Sequence, residues 1–577
     1  MRDRQNRGNT RRLDPITLDI LWQRLISIMN EVDQIVVRTT FSTILRESRD
    51  FACILTDARG SSLCQSVWST ATFSAVYPRT ARVLLERFPP ETLKEGDVLA
   101  TNDPWIGTGH LPDYILLTPV FWKGKVVACL GTVSHMSDVG GHPAEIEGYD
   151  VFSEGLCMPP FKLYEGGKEN ELAFEIIGKN CRVPDLLLGD LRAMAGAAKV
   201  GAERFGEFLI DYEMDDIELL AHEILTRSEE LMRKRIAELP DGVYEYGLDI
   251  DGYIDIVHLH TRVEVRGSDI SIDYTGSSPQ TRKASINSSY NSTLAASMYP
   301  FKCALAPDIP NNEGLFRPIH MFAPEGSILN ATFPVAVKAR AKTINNMNQV
   351  LFGALWPIFG ERAQASNGAI WPLVLMGDDD EFGHFLVDML PHGGRGALLT
   401  MDGMIPVSYP ENSTITPCEV IETKAPILFA KKELRPDSGG PGRRRGGVGQ
   451  VIIFEHAGSQ PMIFNLTPDR ITTLPQGLDG GKPGKIGEVY INGKRTLLFP
   501  PIHLNPGDVV ELHIAGGGGF GPVEEREPER ILCDIELGYI TPEGARADYA
   551  FDIRSIEAPQ RLRQPVAAAR DKAKNAN

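Results

Sequence analysis

Gly107-Thr108-Gly109-His110-Leu111-Pro112-Asp113, then the runs Tyr114 to Trp122 and Val126 to Val133 on either side of Lys123-Gly124-Lys125, and finally Ser134-His135, read as a loop entering an antiparallel hairpin. The two runs are apolar and β-branched, and the Lys-Gly-Lys segment is the turn. Folding about Gly124 pairs positions whose numbers sum to about 248, so Asp113 faces His135. His110, three residues upstream of Asp113, can close on the same point. Two imidazoles and a carboxylate with room for water form the ligand set of Zn²⁺ or Mn²⁺ held for catalysis rather than for stability. A lone His near a strand end is more often a hydrogen-bonded core or surface residue, and His-x-x-Asp alone is a weak motif. The neighbours add weight to the metal reading. Asn102-Asp103-Pro104 precedes the loop and Ser137-Asp138-Val139-Gly140-Gly141-His142 follows His135, gathering polar groups at both strand ends.

Outward from the hairpin, Asp14-Pro15 starts a helix with apolar residues at Ile16, Ile20, Leu21, Leu25, Ile28 and Val32. Phe51 to Thr56, the turn Asp57 to Gly60 and Ser61 to Val67 read as a second hairpin with Asp50 at its mouth. Leu186 to Arg204 and Asp215 to Leu239 look helical, and Leu239-Pro240-Asp241-Gly242 breaks the pattern. Short strands follow at Tyr244 to Ile250, Ile254 to Val265 and Ile270 to Tyr274, then helices at Ser292 to Lys302 and Thr343 to Leu355. From about Trp371 the chain is rich in Gly, Pro and short strands, which suggests a sandwich-like or barrel-like end.

The predicted fold class is therefore α+β and multi-domain. A disordered basic arm covers 1–12, a mixed α/β metal-binding domain 13–240, a central β-rich domain with helices 241–370, a Gly/Pro-rich β domain 371–553, and a disordered tail 554–577.

With 577 residues, 42% hydrophobic and 23% charged, the chain has the composition of a globular protein large enough for two or three domains. A formal net charge of -17 and no basic stripe with interleaved aromatics argue against nucleic-acid partners and for small substrates or proteins. The eight cysteines include no Cys-x-x-Cys pair and read as reduced thiols, which fits the cytoplasm. No signal peptide is evident, and no segment reaches the roughly 18 apolar residues of a membrane span.

Gly439-Gly440-Pro441-Gly442-Arg443-Arg444-Arg445-Gly446-Gly447 invites a phosphate-loop reading but lacks Gly-x-x-x-x-Gly-Lys-Ser/Thr. A tight glycine turn with arginine ion pairs is the better account, and Gly516 to Gly519 reads as structural too. No Gly-x-Ser-x-Gly is present, so a nucleophilic triad has no support.

The ordered motifs resemble the hydantoinase B family along roughly residues 13 to 550. They begin with Leu13-Asp14-Pro15-Ile16-Thr17-Leu18 and Arg46-Glu47-Ser48-Arg49-Asp50-Phe51-Ala52-Cys53, the latter close to the family's Glu-Arg-x-Asp-Phe-Ser-Cys. Thr101-Asn102-Asp103-Pro104, Gly109 to Asp113, Ser134-His135 and Gly189-Asp190-Leu191-Arg192-Ala193 continue the series. Asp273 to Gln280, Arg435 to Gly442 with Arg445-Gly446-Gly447, Gly516 to Pro522 and Asp534 to Tyr539 complete it. Ala52 in place of Ser, and Pro417-Cys418-Glu419 in place of Pro-Val-Glu, touch no proposed ligand.

The resemblance implies that His110, Asp113 and His135 hold one divalent metal, Zn or Mn, with Asp50 as a fourth ligand. It also implies a hetero-oligomer, in which ATP and its Mg are held by a hydantoinase A-type subunit. ATP would phosphorylate the substrate oxygen there, and this chain would finish the reaction at its metal. Asp138 is the candidate catalytic carboxylate, as base or as orienting group, with Asp103 or His142 behind the ligands. The leading reading is ring opening of a hydantoin, lactam or oxoproline-like cyclic amide. The rivals are a subunit of an acetone- or acetophenone-type ketone carboxylase and a non-catalytic structural subunit. The match begins by Leu13 and ends soon after Tyr549, which leaves no room for the extra domain of a larger carboxylase chain and favours the hydrolase.

Overall fold

The computed structural model describes residues 12–142, 148–497 and 501–552. Of the expected arm only Arg12 falls among them, and the expected tail lies outside the described residues. The first sheet contains β1 (Phe51–Asp57), β2 (Ser62–Gln65), β3 (Val98–Thr101), β4 (Asp113–Trp122), β5 (Lys125–His135), β6 (Phe161–Glu165) and β7 (Lys168–Glu169), in the order β2-β1-β5-β4-β3-β6-β7. Every pairing in it is antiparallel.

The register of β4 with β5 runs as the sequence predicts, from Asp113 opposite His135 to Val120 opposite Ala128, and slips by one at a bulge before the turn. Lys123 and Gly124 both have positive φ, 49° and 79°, the pair that a tight hairpin turn needs. Lys125 belongs to the strand rather than to the turn.

Helices cover both faces of this sheet, which is why its strands read as continuous apolar runs and not as alternating ones. Phe51, Cys53, Leu55 and Leu130 pack with the helices Pro15–Thr39 and Pro184–Asp211. Ala52, Ile54, Ile115, Leu117 and Val133 pack with Phe73, Tyr77 and Leu84 of the helix Ala71–Arg87. The first helix is capped by the Asp14 carboxylate, which accepts from the Ile16 and Thr17 amides, with Pro15 as its first residue. Its buried stripe is Leu18, Leu21, Leu25, Ile28, Val32 and Val36, while Ile16 and Ile20 face solvent. At 3.6 residues per turn these two lie on the opposite face, which corrects their place in the expected stripe.

The second sheet holds β8 (Gly242–Asp251), β9 (Ile256–Arg266), β10 (Asp269–Asp273) and β11 (Ile319–Phe322), in the order β11-β10-β9-β8. The helices Tyr290–Leu305 and Ala341–Phe359 pack with it in one apolar cluster that runs from Leu18 to Ala363.

A separate cluster begins at Trp371. It lies between two sheets, one of β12 (Leu373–Asp379), β13 (Gly383–Met389), β16 (Met462–Leu466) and β19 (Ile502–Leu504), the other of β14 (Ile427–Arg435), β15 (Gly449–His456), β17 (Glu488–Ile491), β18 (Lys494–Thr496) and β20 (Val509–His513). This sandwich is the β-rich end expected from the Gly- and Pro-rich third of the chain. Its arginine-rich turn is structural: Arg445 is buried and pairs with Asp534 at 3.1 Å.

Candidate metal centre

The strand order β1-β5-β4 sets Asp50, His135 and Asp113 side by side at the same end of three adjacent inner strands of the first sheet. Asp50 directly precedes β1, and its backbone carbonyl accepts the His135 amide at 3.1 Å. His110 reaches the same end from the loop before β4. Its Nε2 lies 2.7 Å from Asp113 Oδ1, and His135 Nδ1 lies 3.0 Å from that same oxygen. One ligand atom from each of these three residues falls within 4.8 Å of the others.

The bonding around the three side chains fits a bound cation. His110 Nδ1 lies 2.9 Å from the Lys338 carbonyl, which can only accept, so Nδ1 carries a proton, and in the neutral ring Nε2 presents a lone pair. That Nε2 is buried and has no hydrogen-bond partner among the described residues. A lone pair facing a carboxylate oxygen at 2.7 Å is repulsive unless a positive charge sits between them. A histidine whose second ring nitrogen donates to a backbone carbonyl is the usual arrangement of a metal ligand.

Asp113 is held from behind. Its Oδ2 accepts from Arg340 Nη2 at 2.7 Å and from Thr108 Oγ1, which leaves Oδ1 turned to the imidazoles. Gly109 makes this packing possible: its φ is 100°, and a Cβ there would meet Arg340 Cδ at 2.7 Å and Ser292 Cβ at 2.9 Å.

Burial and the Arg340 charge lower the His110 pKa to about 4, so this ring is neutral and available as a ligand. Burial also works against a charged His135, but its hydrogen bond to Asp113 and the charges of Asp113 and Asp50 outweigh it and raise the pKa to about 9. Burial would raise the Asp113 carboxyl, yet the facing imidazole and Arg340 hold it well below the usual carboxylate range. Asp50 is pushed up to about 6, chiefly by burial.

Asp50, His110 and His135 open onto a cavity of about 140 Å³ between the first sheet and the C-terminal sandwich; Asp113 is not among its lining residues. Asp50, His110, His135 and Arg340 line one side, and Leu373, Leu386, Asp388 and Met389 another. Glu411 enters from a loop, with Oε2 accepting from Thr72 at 2.8 Å, and burial followed by the Asp50 charge pushes its carboxyl up to about 7.

Asp138 lines the same cavity, but both its oxygens are engaged: Oδ1 with Arg182 Nη1 at 2.6 Å and the Gly140 amide at 3.2 Å, Oδ2 with the Arg182 amide at 2.5 Å. Asp103 instead orders the approach loop, accepting the Trp105 amide at 2.9 Å. His142 is exposed, and its carbonyl accepts from Lys338 Nζ at 3.3 Å.

A model of the hydantoinase B/oxoprolinase family matches residues 14–523. The chain belongs to this family. The putative D-/L-hydantoinase protein of B type from Pseudomonas sp. (strain NS671) is 32% identical to it over 576 residues, covering 95% of this chain and 96% of that protein. The solved structure of ATP-dependent caprolactamase from Pseudomonas jessenii matches 98% of this chain and 100% of its own, with a TM-score of 0.87 and 25% identity. Nucleotide-free acetone carboxylase has the same fold, with a TM-score of 0.86 over 97% of this chain and 83% of its own at 18% identity. The α+β frame that carries the sheet end of Asp50, His110, Asp113 and His135 is thus shared with a lactam hydrolase and a ketone carboxylase.

Three groups at the centre carry no signal in the hairpin's own stretch of sequence. Arg340, the Lys338 carbonyl and Glu411 lie more than two hundred residues from it along the chain. The only local signal is Lys338-Ala339-Arg340-Ala341-Lys342, an alternation of basic and small residues at the start of a buried helix.

Proposed function

We propose that this chain is the metal-holding subunit of an ATP-dependent cyclic amide hydrolase that opens a hydantoin, lactam or oxoproline-like ring. The observation that carries the reading is the buried His110 Nε2, 2.7 Å from Asp113 Oδ1 and without a hydrogen-bond partner among the described residues, beside His135 on the wall of a cavity of about 140 Å³. His110, Asp113 and His135 would hold one Zn²⁺ or Mn²⁺, with Asp50 as a fourth ligand from the adjacent strand. When bound, the ion supplies Lewis-acid polarisation of a carbon–oxygen unit.

The chain's own side chains do the rest. Arg340 fixes the orientation of Asp113, and the apolar wall of Leu373, Leu386 and Met389 excludes water from the ring. Asp138 acts as an orienting carboxylate rather than a base, because it holds Arg182 on the cavity wall with both oxygens. ATP and its Mg²⁺ would be held by a hydantoinase A-type partner. This agrees with the name of the 32% identical relative, which marks it as one component of a larger hydantoinase, and with the ATP dependence of the caprolactamase. All eight cysteines are free thiols, which supports a cytoplasmic location, and among the described residues no helix is long and apolar enough to cross a membrane.

The test mixes the purified chain with its ATP-binding partner and offers hydantoins, lactams and ketones, each with and without bicarbonate. The expected result is ATP consumption coupled to ring opening, independent of bicarbonate. A ketone product heavier by one carboxyl group and formed only with bicarbonate would move the assignment to the carboxylase. Full ring-opening activity after loss of the metal would leave the chain a structural subunit.

A further inference from the structure

Glu154 plays no part in the chemistry above, yet it is 3% exposed, and among the described residues no arginine or lysine forms an ion pair with it. It follows the short turn Val151–Ser153 and is drawn in between two segments. On one side the Val151 amide donates to the Pro334 carbonyl at 2.8 Å; on the other the Leu156 amide donates to the Val139 carbonyl at 2.9 Å, just past the end of β5. Gly141 permits this approach, since a Cβ there would lie 2.3 Å from the Glu154 carbonyl carbon. The Glu154 Oε1 accepts two backbone amides at once, Val337 and Lys338, each at 2.7 Å.

The second of these amides belongs to the residue whose carbonyl receives the His110 ring proton. Lys338 is gripped at both ends: its own N–H by Glu154, and the following amide, of Ala339, by the Ser285 carbonyl at 2.9 Å. Those two bonds fix the direction of the Lys338 C=O, and that direction fixes which nitrogen of His110 carries the proton and where Nε2 points. The loop 334–340 contains no regular secondary structure that would do this in their place.

We infer that Glu154 is a positioning residue of the metal centre, clamping the Val337-Lys338 turn so that the Lys338 carbonyl holds His110 in its Nδ1–H form with Nε2 free to ligate. A carboxyl group suits the task because one of its oxygens accepts both the Val337 and the Lys338 amide. The glutamine amide oxygen has the same reach, whereas aspartate is one methylene too short to meet both amides.

The inference rests on the proposed metal site and is tested by metal affinity rather than turnover. Zn²⁺ affinity of the metal-stripped full chain is measured by competition with a chromophoric chelator, and the visible spectrum of the Co²⁺ form reports the ligand geometry. Glu154→Ala should bind Zn²⁺ about 10- to 100-fold more weakly, the range for loss of a group supporting a metal-bound histidine, with an altered Co²⁺ spectrum. Glu154→Gln should stay within about threefold of wild type and keep its spectrum, since the two amide bonds are retained. If the alanine variant fails to fold, Glu154→Asp against Glu154→Gln gives the same contrast. Wild-type affinity in both the alanine and aspartate variants would overturn the clamp, as would a glutamine variant as weak as alanine. His110→Ala separates the two readings: if it keeps full metal content, the site itself is misassigned.

Discussion

Replacing Arg340 by methionine should destabilise the metal-free protein far more than the metal-loaded one. Arg340 is 4% exposed and makes two bonds, Nη2 to Asp113 Oδ2 at 2.7 Å and Nε to the Thr108 carbonyl at 2.5 Å. Methionine fills much the same volume and removes the charge, leaving the fully buried Asp113 carboxylate with one cationic partner, His135. Breaking a buried pair in this way costs about 3–5 kcal/mol. Unfolding entropy of ~2.1 cal/mol/K per residue over the roughly 350 residues of chain spanned by the N-terminal apolar cluster makes that a fall in Tm of about 4–7 °C. A divalent ion against Asp113 Oδ1 restores positive charge to the same carboxylate, so saturating Zn²⁺ should reduce the deficit to less than half. The assay is thermal unfolding of wild type, Arg340→Met and Arg340→Lys, with chelator and with Zn²⁺. Lysine should be intermediate, as it restores charge without the two-pronged contact. An equal fall in Tm with and without metal would refute the reasoning, because it would mean that no ion shares Asp113 with Arg340.

Asp138→Asn should lower kcat by about 10- to 100-fold, the worth of one charged hydrogen bond, while leaving metal content unchanged; inductively coupled plasma mass spectrometry and steady-state kinetics check the split. His392 gives a pH dependence away from the metal: it is fully buried, neither ring nitrogen has a hydrogen-bond partner among the described residues, and burial followed by the Lys432 charge lowers its pKa to about 3. The unfolded chain, with a His pKa near ~6.5, takes up the proton first. The contribution to stability is therefore present above pH ~6.5 and lost as pH falls toward 3, at up to about 1.4 kcal/mol per pH unit. Urea midpoints between pH 7 and pH 5 should fall more steeply for wild type than for His392→Phe.

The hairpin and its ligand pair were legible because local rules decide them. A two-residue turn fixes register, and register alone puts Asp113 opposite His135. His110 was legible for the same reason, being three residues from Asp113. Asp50 entered through its motif, and the strand order then explains its place, since β1 lies beside β5. What stayed hidden was set by tertiary packing. The alternation of basic and small residues around Arg340 does not say that its guanidinium lies against Asp113, and Glu154 carries no motif because its partners are backbone amides, which any sequence supplies. Asp138 was found by nearness in sequence, but its partner Arg182 lies 44 residues on, beyond β6, β7 and the helix Glu171–Lys179. Ile16 and Ile20 show the limit of a periodic reading: both are apolar, yet they lie on the face opposite the buried Leu21, Leu25, Ile28 and Val32.

The most direct test of the central claim is the metal content of the purified chain and of its His110→Ala and His135→Ala variants, measured by elemental analysis on folded protein of matched circular dichroism. One Zn²⁺ or Mn²⁺ per wild-type chain and well under a tenth of that in both variants is the predicted result, since each substitution removes one ligand from the cluster of His110, Asp113 and His135. Undiminished metal in both variants would contradict the account.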